Sequence, residues 1–107
     1  MGKTAAESFV TIAQADQVPE GRLKVFRAGQ TRVAVCRMEG KFYAIEDVCT
    51  HDEGPLGEGT LRGEEVECPR HGARFNVKSG AAVSMPAVVP VKVFEVRVEG
   101  GDLQVKI

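Results

Sequence analysis

Both histidines of this chain stand close to a cysteine. Cys49 and His51 form a C-x-H motif, Cys68 and His71 form a C-x-x-H motif, and 16 residues separate His51 from Cys68. Thiolates and imidazoles are ligands of thiophilic or borderline metals, whereas magnesium and calcium prefer oxygen. Because both motifs lie in glycine-rich segments, we interpret the four residues as ligands of one metal centre.

The grouping of the ligands along the chain bears on which metal they bind. Zinc is a strong alternative, because two cysteines and two histidines form one of its structural ligand sets. Zinc fingers, however, usually group cysteine with cysteine and histidine with histidine, whereas each segment here supplies one of each. Mixed pairs can place both sulfurs on one iron and both nitrogens on the other iron of a two-iron cluster. An iron–sulfur centre is therefore favoured, and a structural zinc module acting as an interaction domain remains the alternative.

Written as C-T-H, 16 residues and C-P-R-H-G, the pattern resembles the signature of Rieske [2Fe–2S] proteins. The resemblance covers roughly residues 9–107 and extends to flanking positions. These are the run F-Y-A-I before the first motif, Phe75 and Gly80 after the second, Pro86 in a third loop, and the closing hairpin.

The resemblance implies an all-β fold, an antiparallel β-sandwich of the Rieske (ISP-domain-like) type with a small cluster-binding subdomain. It implies a Rieske-type [2Fe–2S] cluster as the cofactor. Cys49 and Cys68 would bind the inner iron, and His51 and His71 the outer iron, nearer to solvent. It also implies an electron carrier of the ferredoxin type.

Several positions depart from the respiratory Rieske proteins. Gly54 and Arg70 stand where those proteins carry two further cysteines, so their interloop disulfide cannot form here. Ala73 and Phe75 replace a serine and a tyrosine whose hydroxyl groups donate to sulfur. Each missing donor removes stabilisation of the reduced cluster, so we predict a potential toward the lower part of the Rieske range, roughly −150 to +300 mV.

Short strands on both sides of the motifs must position them. The scaffold strands are predicted at residues 9–13, 23–27, 31–38, 42–45, 94–99 and 102–107, with hairpin turns at Glu39-Gly40 and Gly100-Gly101. Residues 47–90 are instead rich in glycine and proline, with strand-like pieces at 60–62, 65–67 and 73–77, and one helical turn is predicted within 12–17. We therefore predict a single Rieske domain over residues 1–107, with a cluster-binding insert at approximately 47–90.

Composition excludes several functional classes. Fourteen Lys and Arg against 15 Asp and Glu leave a net charge of −1, which argues against a nucleic-acid binder. No apolar stretch is long enough to span a membrane, and the N-terminus lacks the apolar region of a secretory signal, so no membrane association and a cytoplasmic location are expected. The odd number of cysteines, three, disfavours a disulfide framework.

The 107 residues leave no room for a catalytic domain, so we predict an electron carrier with no catalytic residues. By the resemblance, its partners would be a flavoprotein NAD(P)H-dependent ferredoxin reductase and a terminal oxygenase, such as an aromatic-ring-hydroxylating dioxygenase. A monomer is expected. The alternative within the family is a small Rieske-like subunit of another reductase, such as nitrite reductase; many of these lack the ligands, whereas this chain has all four.

The partner-docking face is predicted at the loop tips around His51 and His71. Its apolar contacts would be Leu56 and Pro86, and its rim charges would be Asp52, Glu53, Arg70 and Arg74. Cys36, which lies far from both motifs, is predicted to be a buried core residue.

Overall fold

The computed structural model describes residues 9–48, 56–57, 59–69, 72–84 and 89–106. These ranges contain ten strands and a single 3-10 turn at Ala15–Gln17. The strands are β1 (Phe9–Gln14), β2 (Leu23–Ala28), β3 (Thr31–Met38), β4 (Lys41–Glu46), β5 (Thr60–Arg62), β6 (Glu65–Glu67), β7 (Arg74–Asn76), β8 (Ala82–Ser84), β9 (Val93–Glu99) and β10 (Asp102–Lys106).

The strands form two antiparallel sheets. The larger sheet has the order β1-β10-β9-β4-β3-β2, and its edge strands β1 and β2 also contact each other, so the sheet curves around a core. The smaller sheet has the order β5-β6-β7-β8 and is inserted between β4 and β9 along the chain. The predicted all-β fold, with a scaffold from both ends of the chain and a smaller inserted unit, is confirmed.

Strands β3 and β4 separate two buried clusters. One cluster, the sheet core, lies within the larger sheet and contains Val18, Ala28, Val33, Val35, Ala44, Phe94, Leu103 and Val105. The other, the junction core, contains residues of both sheets: Ala34, Cys36, Ile45, Leu56, Val66, Cys68, Ala73, Phe75, Val77 and Val91. Successive β3 side chains enter opposite clusters, which explains why four consecutive residues, Val33 to Cys36, are all buried.

Tight turns fix the register of the two long hairpins. Glu39 and Gly40 both have positive φ, at 54° and 78°, as a type I′ turn requires, and Gly100 and Gly101 do the same at 58° and 91°. The Glu20 carboxylate accepts hydrogen bonds from the backbone N–H groups of Glu39 and Gly40, which holds the first turn in place. Both predicted hairpins are confirmed.

One prediction about local structure is confirmed in part, and one strand was missed. The helical turn predicted within 12–17 covers only Ala15–Gln17, because β1 continues to Gln14 and pairs with Asp102. Strand β8 was not predicted, because three residues beside a glycine carry little pattern; pairing with β7 makes it a strand. No helix in the described ranges is long and apolar enough to cross a membrane.

Cys36 is confirmed as a buried core residue, and its burial has a measurable consequence at high pH. Burial raises the pKa of the Cys36 thiol from 9.0 to about 11. The unfolded chain therefore loses this proton at lower pH than the folded chain does. Stability that is present below pH 9 must be lost progressively as the pH rises toward 11.

We predict that Cys36→Ala lowers the free energy of unfolding by about 1 kcal/mol at neutral pH, because it leaves a small cavity. Between pH 9 and about 11, wild-type stability should then fall more steeply than that of the variant. Denaturant unfolding at several pH values measures both effects. Parallel pH profiles for the two proteins would contradict the burial of this thiol.

Candidate metal centre

Cys68 is the predicted ligand that the structure describes. It directly follows β6, is 1% exposed and belongs to the junction core. Cys36 and Cys68 are both free thiols, so the Cys68 sulfur is available as a soft donor of the kind that iron–sulfur clusters use. Cys49, His51 and His71 lie outside the described residues, and within the described ranges no three Cys, His, Asp or Glu side chains come together as a metal site.

The segment from Cys68 to Ala73 contains the C-x-x-H motif, and we call it the second ligand segment. Backbone hydrogen bonds join its two ends, which form its base. The Cys68 N–H donates to the Ala73 carbonyl at 2.7 Å, and the Gly72 N–H donates to the Cys68 carbonyl at 3.1 Å. Gly72 has a φ of 76°, a conformation that glycine adopts without strain. Cys68 is therefore held against Gly72 and Ala73, which fixes the two ends of this segment between β6 and β7.

The segment from Asp47 to Gly57 contains the C-x-H motif, and we call it the first ligand segment. Its two ends are also joined at the base. The buried Asp47 carboxylate, two residues before Cys49, accepts a hydrogen bond from the backbone N–H of Gly57. Its other oxygen lies 2.6 Å from an Arg32 guanidinium nitrogen, and the Asp47 N–H donates to the Arg32 carbonyl at 2.9 Å. The two ends of the segment between residues 47 and 57 are thus fixed to each other and to β3.

The two closed bases are joined by the β5–β6 hairpin, in which Thr60 pairs with Glu67. A Cβ atom on Gly59 would stand 2.1 Å from the carbonyl oxygen of Glu67, the residue before Cys68. Only glycine permits that approach of one backbone to the other. Leu56 and Cys68 also share the junction core, so a residue near the end of the first ligand segment and the first residue of the second pack in one cluster.

The flanks of the third loop join the same region. β8 pairs with β7, with Ser84 opposite Arg74, so residues 85–88 follow a strand that lies beside the end of the second ligand segment. On the other flank, the Val91 N–H donates to the Gly80 carbonyl at 2.8 Å. Pro86, predicted to lie in this loop, is outside the described residues, as are Asp52, Glu53, Gly54 and Arg70.

The prediction that Leu56 is an exposed docking contact was wrong. Its side chain is 0% exposed and belongs to the junction core. The reason is the closure at Asp47 and Gly57, which turns the chain inward at the end of the first ligand segment. Leu56 anchors the base of that segment rather than its tip.

Ala73 and Phe75 are both fully buried in the junction core that contains Cys68. Neither side chain has a hydroxyl group to donate to a sulfur. Arg74, between them, points to the other face of β7 and forms an ion pair with Glu65 at 3.5 Å. Arg74, predicted to be a rim charge, is therefore paired with an acidic residue.

Residues that the sequence analysis did not single out do most to shape this region. Asp47, Gly57 and Gly59 set the ends of the first ligand segment, yet none belongs to a ligand motif. One signal was available: Asp47 directly follows the strand β4 and stands two residues before the first ligand motif. Its burial depends on Arg32, which is 15 residues away in sequence.

The match to known families decides the identity of this fold. The Rieske [2Fe–2S] domain family matches residues 8–95. The chain belongs to the Rieske [2Fe–2S] family. Its cofactor is therefore a Rieske-type [2Fe–2S] cluster, as predicted, and the described part of the site fits it through the free, buried sulfur of Cys68.

Relatives match over nearly their whole length. Ferredoxin CarAc of Metapseudomonas resinovorans is 46% identical over 93 residues, which cover 87% of each chain. The ferredoxin component of biphenyl 2,3-dioxygenase from Rhodococcus jostii strain RHA1 is 36% identical over 98 residues, 92% of each chain. A chain in the solved complex of reduced oxygenase and oxidized ferredoxin of carbazole 1,9a-dioxygenase superposes with a TM-score of 0.84, at 42% identity and 91% coverage of both chains.

These relatives are named as ferredoxins and ferredoxin components, which are electron carriers rather than catalytic subunits. The prediction that this Rieske protein carries electrons and is not itself an enzyme is confirmed. The predicted alternatives, a zinc module and a small subunit of a nitrite reductase, do not agree with these matches.

The approach of Gly59 to Glu67 generates a prediction. Gly59→Ala should lower the free energy of unfolding by about 2 kcal/mol, because its Cβ would collide with the Glu67 carbonyl and force the two bases apart. It should also reduce the iron bound per chain. Denaturant unfolding and iron analysis measure the two effects.

Gly63→Asn is the matched control, at the opposite end of the β5–β6 hairpin. Nothing lies within 4 Å of a Cβ at Gly63, and asparagine tolerates its positive φ of 59°. Equal iron loss in both variants would contradict a specific role for the Gly59 contact.

Proposed function

We propose that this chain carries one electron at a time from a flavoprotein NAD(P)H-dependent ferredoxin reductase to the terminal oxygenase of an aromatic-ring-hydroxylating dioxygenase system. Cys49 and Cys68 bind the inner iron of the cluster, and His51 and His71 bind the outer iron. The chain works as a single Rieske domain over residues 1–107, with the cluster-binding insert at about 47–90, as a cytoplasmic monomer.

The observation that carries this proposal is the joining of the two loop bases. The Gly59 backbone lies against Glu67, and Leu56 and Cys68 pack in one buried cluster. Each ligand motif begins within two residues of a fixed point, Asp47 in one case and Glu67 in the other. This arrangement supports delivery of two cysteines and two histidines to one end of the molecule.

The buried position of Cys68 supports its assignment to the inner iron. A sulfur inside the junction core excludes water from that side of the centre, while the C-x-x-H spacing lets His71 lie farther along the same loop. When bound, the cluster supplies a site that accepts and releases one electron. The chain's own residues hold it, shield one side and leave the histidine side for contact with partners.

The partner assignment follows from the dioxygenase systems to which similar chains belong. One relative is the ferredoxin component of a biphenyl dioxygenase, and a similar chain occurs in a solved complex with the oxygenase of carbazole 1,9a-dioxygenase. A reductase of the flavoprotein class supplies single electrons from NADH or NADPH to such a carrier. An aromatic-ring substrate would be bound by the oxygenase, not by this chain.

The decisive experiment is an absorption and EPR study of the purified protein, oxidised and after reduction with dithionite. We expect a coloured protein whose reduced form gives the EPR signal of a histidine-ligated [2Fe–2S] cluster. A colourless, EPR-silent protein containing zinc would overturn the proposal. Reconstitution with a flavoprotein reductase and an oxygenase then tests electron delivery.

Substitutions of the predicted ligands should distinguish the residues that bind the inner iron from those that bind the outer iron. Cys68→Ser or Cys49→Ser should abolish cluster binding, whereas His51→Cys or His71→Cys should change the EPR spectrum and lower the potential, because a thiolate adds negative charge at the outer iron. Iron and sulfide analysis, EPR and voltammetry measure these results. A histidine variant with unchanged g-values and potential would remove that histidine from the ligand set.

Adding the missing hydroxyl groups should raise the reduction potential. Ala73→Ser and Phe75→Tyr each place a donor in the junction core beside Cys68, and a donor to sulfur stabilises the more electron-rich, reduced state. Ala82→Ser, which adds a hydroxyl at the edge of the same core, is the matched control. Potentials of Ala73→Ser and Phe75→Tyr no higher than that of the control would contradict this arrangement of the second ligand segment.

A further inference from the structure

Asp47 is the buried charged residue of the described chain. It is 4% exposed, and both of its carboxylate oxygens have partners. Oδ1 accepts from the Gly57 N–H, and Oδ2 contacts Arg32 at 2.6 Å. We call these three residues, Arg32, Asp47 and Gly57, the clasp.

The clasp spans the segment that holds the first ligand motif. Nine residues separate Asp47 from Gly57 in sequence, and Cys49 and His51 are the second and fourth residues after Asp47. On one side, Asp47 is tied to β3 through the Arg32 side chain and, by a 2.9 Å hydrogen bond, through the Arg32 carbonyl. On the other side, it holds the far end of the segment. One side chain therefore fixes both ends.

The position of Gly57 leaves no room for a side chain. A Cβ on Gly57 would stand 1.9 Å from Cγ2 of Val25 and 3.1 Å from Oδ1 of Asp47. The Gly57 backbone is therefore enclosed between β2 and the carboxylate.

Stability alone is a poor explanation of the clasp. Burying a carboxylate has a large desolvation cost, and a buried ion pair is often no more stabilising than hydrophobic residues of similar volume. Arg32 is also half exposed, so water screens its attraction for Asp47. The carboxylate offers something that a hydrophobic side chain cannot: two acceptors that bind a strand and a loop end at the same time.

We propose that Asp47 is a positioning residue for the cluster. Through the clasp it holds the backbone around Cys49 and His51 at the span that the cluster requires. Groups that orient metal ligands in this way commonly affect metal affinity by about 10- to 100-fold. This inference rests on the proposed assignment of Cys49 and His51 as ligands.

The test compares Asp47→Ala, Asp47→Asn and Arg32→Gln in the full-length, cluster-loaded protein. The rate of iron release to a chelator, the EPR g-values and the reduction potential are measured with the free energy of unfolding. Asp47→Ala should release iron about 10- to 100-fold faster and shift the g-values. Asp47→Asn retains one acceptor for Gly57 and should recover most of the wild-type rate.

A matched control is Glu64→Ala, which breaks the 3.1 Å ion pair between Glu64, in the turn before β6, and Lys78, in the turn after β7. It should leave iron release and EPR unchanged. If Asp47→Ala lowers the free energy of unfolding but releases iron at the wild-type rate with wild-type g-values, the residue is merely structural and the proposal is overturned.

A second pair of variants tests the position of Gly57 relative to Asp47 without changing the Asp47 carboxylate. Gly57→Ala should reproduce the fast iron release, and Val25→Ala in the same chain should reverse it, because it removes the Cγ2 atom in the way. Fast release that Val25→Ala fails to reverse would contradict the enclosed position of Gly57. A wild-type protein with no Rieske EPR signal would instead overturn the proposed function, which distinguishes the two failures.

Discussion

The backbone of Gly59 lies so close to the carbonyl of Glu67 that no side chain fits between them. Gly59 precedes β5 and Glu67 ends β6, so the contact lies beside the Thr60–Glu67 pair at the open end of the β5–β6 hairpin, between the two ligand segments. Leu56 and Cys68, close in sequence to the two sides of this contact, lie in one buried cluster. A site assembled from two loops needs such a fixed junction, because each loop alone could adopt many separations from the other.

The larger sheet provides the rigid support for that junction. Its strands β3 and β4 are buried on both faces, so each contributes to the sheet core and to the junction core at once. The smaller sheet packs on one of those faces through Val66 and Phe75. Arg32, on β3, then extends the support to Asp47. Displacement of Asp47 would therefore break its contacts with a strand that is held on two sides.

Much of this fold could be predicted from the sequence, because alternation and turn residues are local signals. Thr31–Met38 was predicted to the residue, and the Glu39-Gly40 and Gly100-Gly101 turns have the positive φ values that such pairs indicate. Each ligand motif also lies within a few consecutive residues, so the resemblance to the family can be seen in the sequence. Leu56 was misplaced because its environment is set by a hydrogen bond between Asp47 and Gly57, and no local pattern reports that contact. The roles of Gly57 and Gly59 likewise depend on what lies opposite them in space.

The burial of Cys36 affects how the folded protein acquires its iron. It shares the junction core with Cys68, so a cysteine outside both motifs lies in the same cluster as a predicted ligand. Iron binding and disulfide exchange both require a thiolate, and burial makes that form costly for Cys36. In the folded apoprotein, Cys36 is therefore a poor competitor for incoming iron and a slow partner in oxidation.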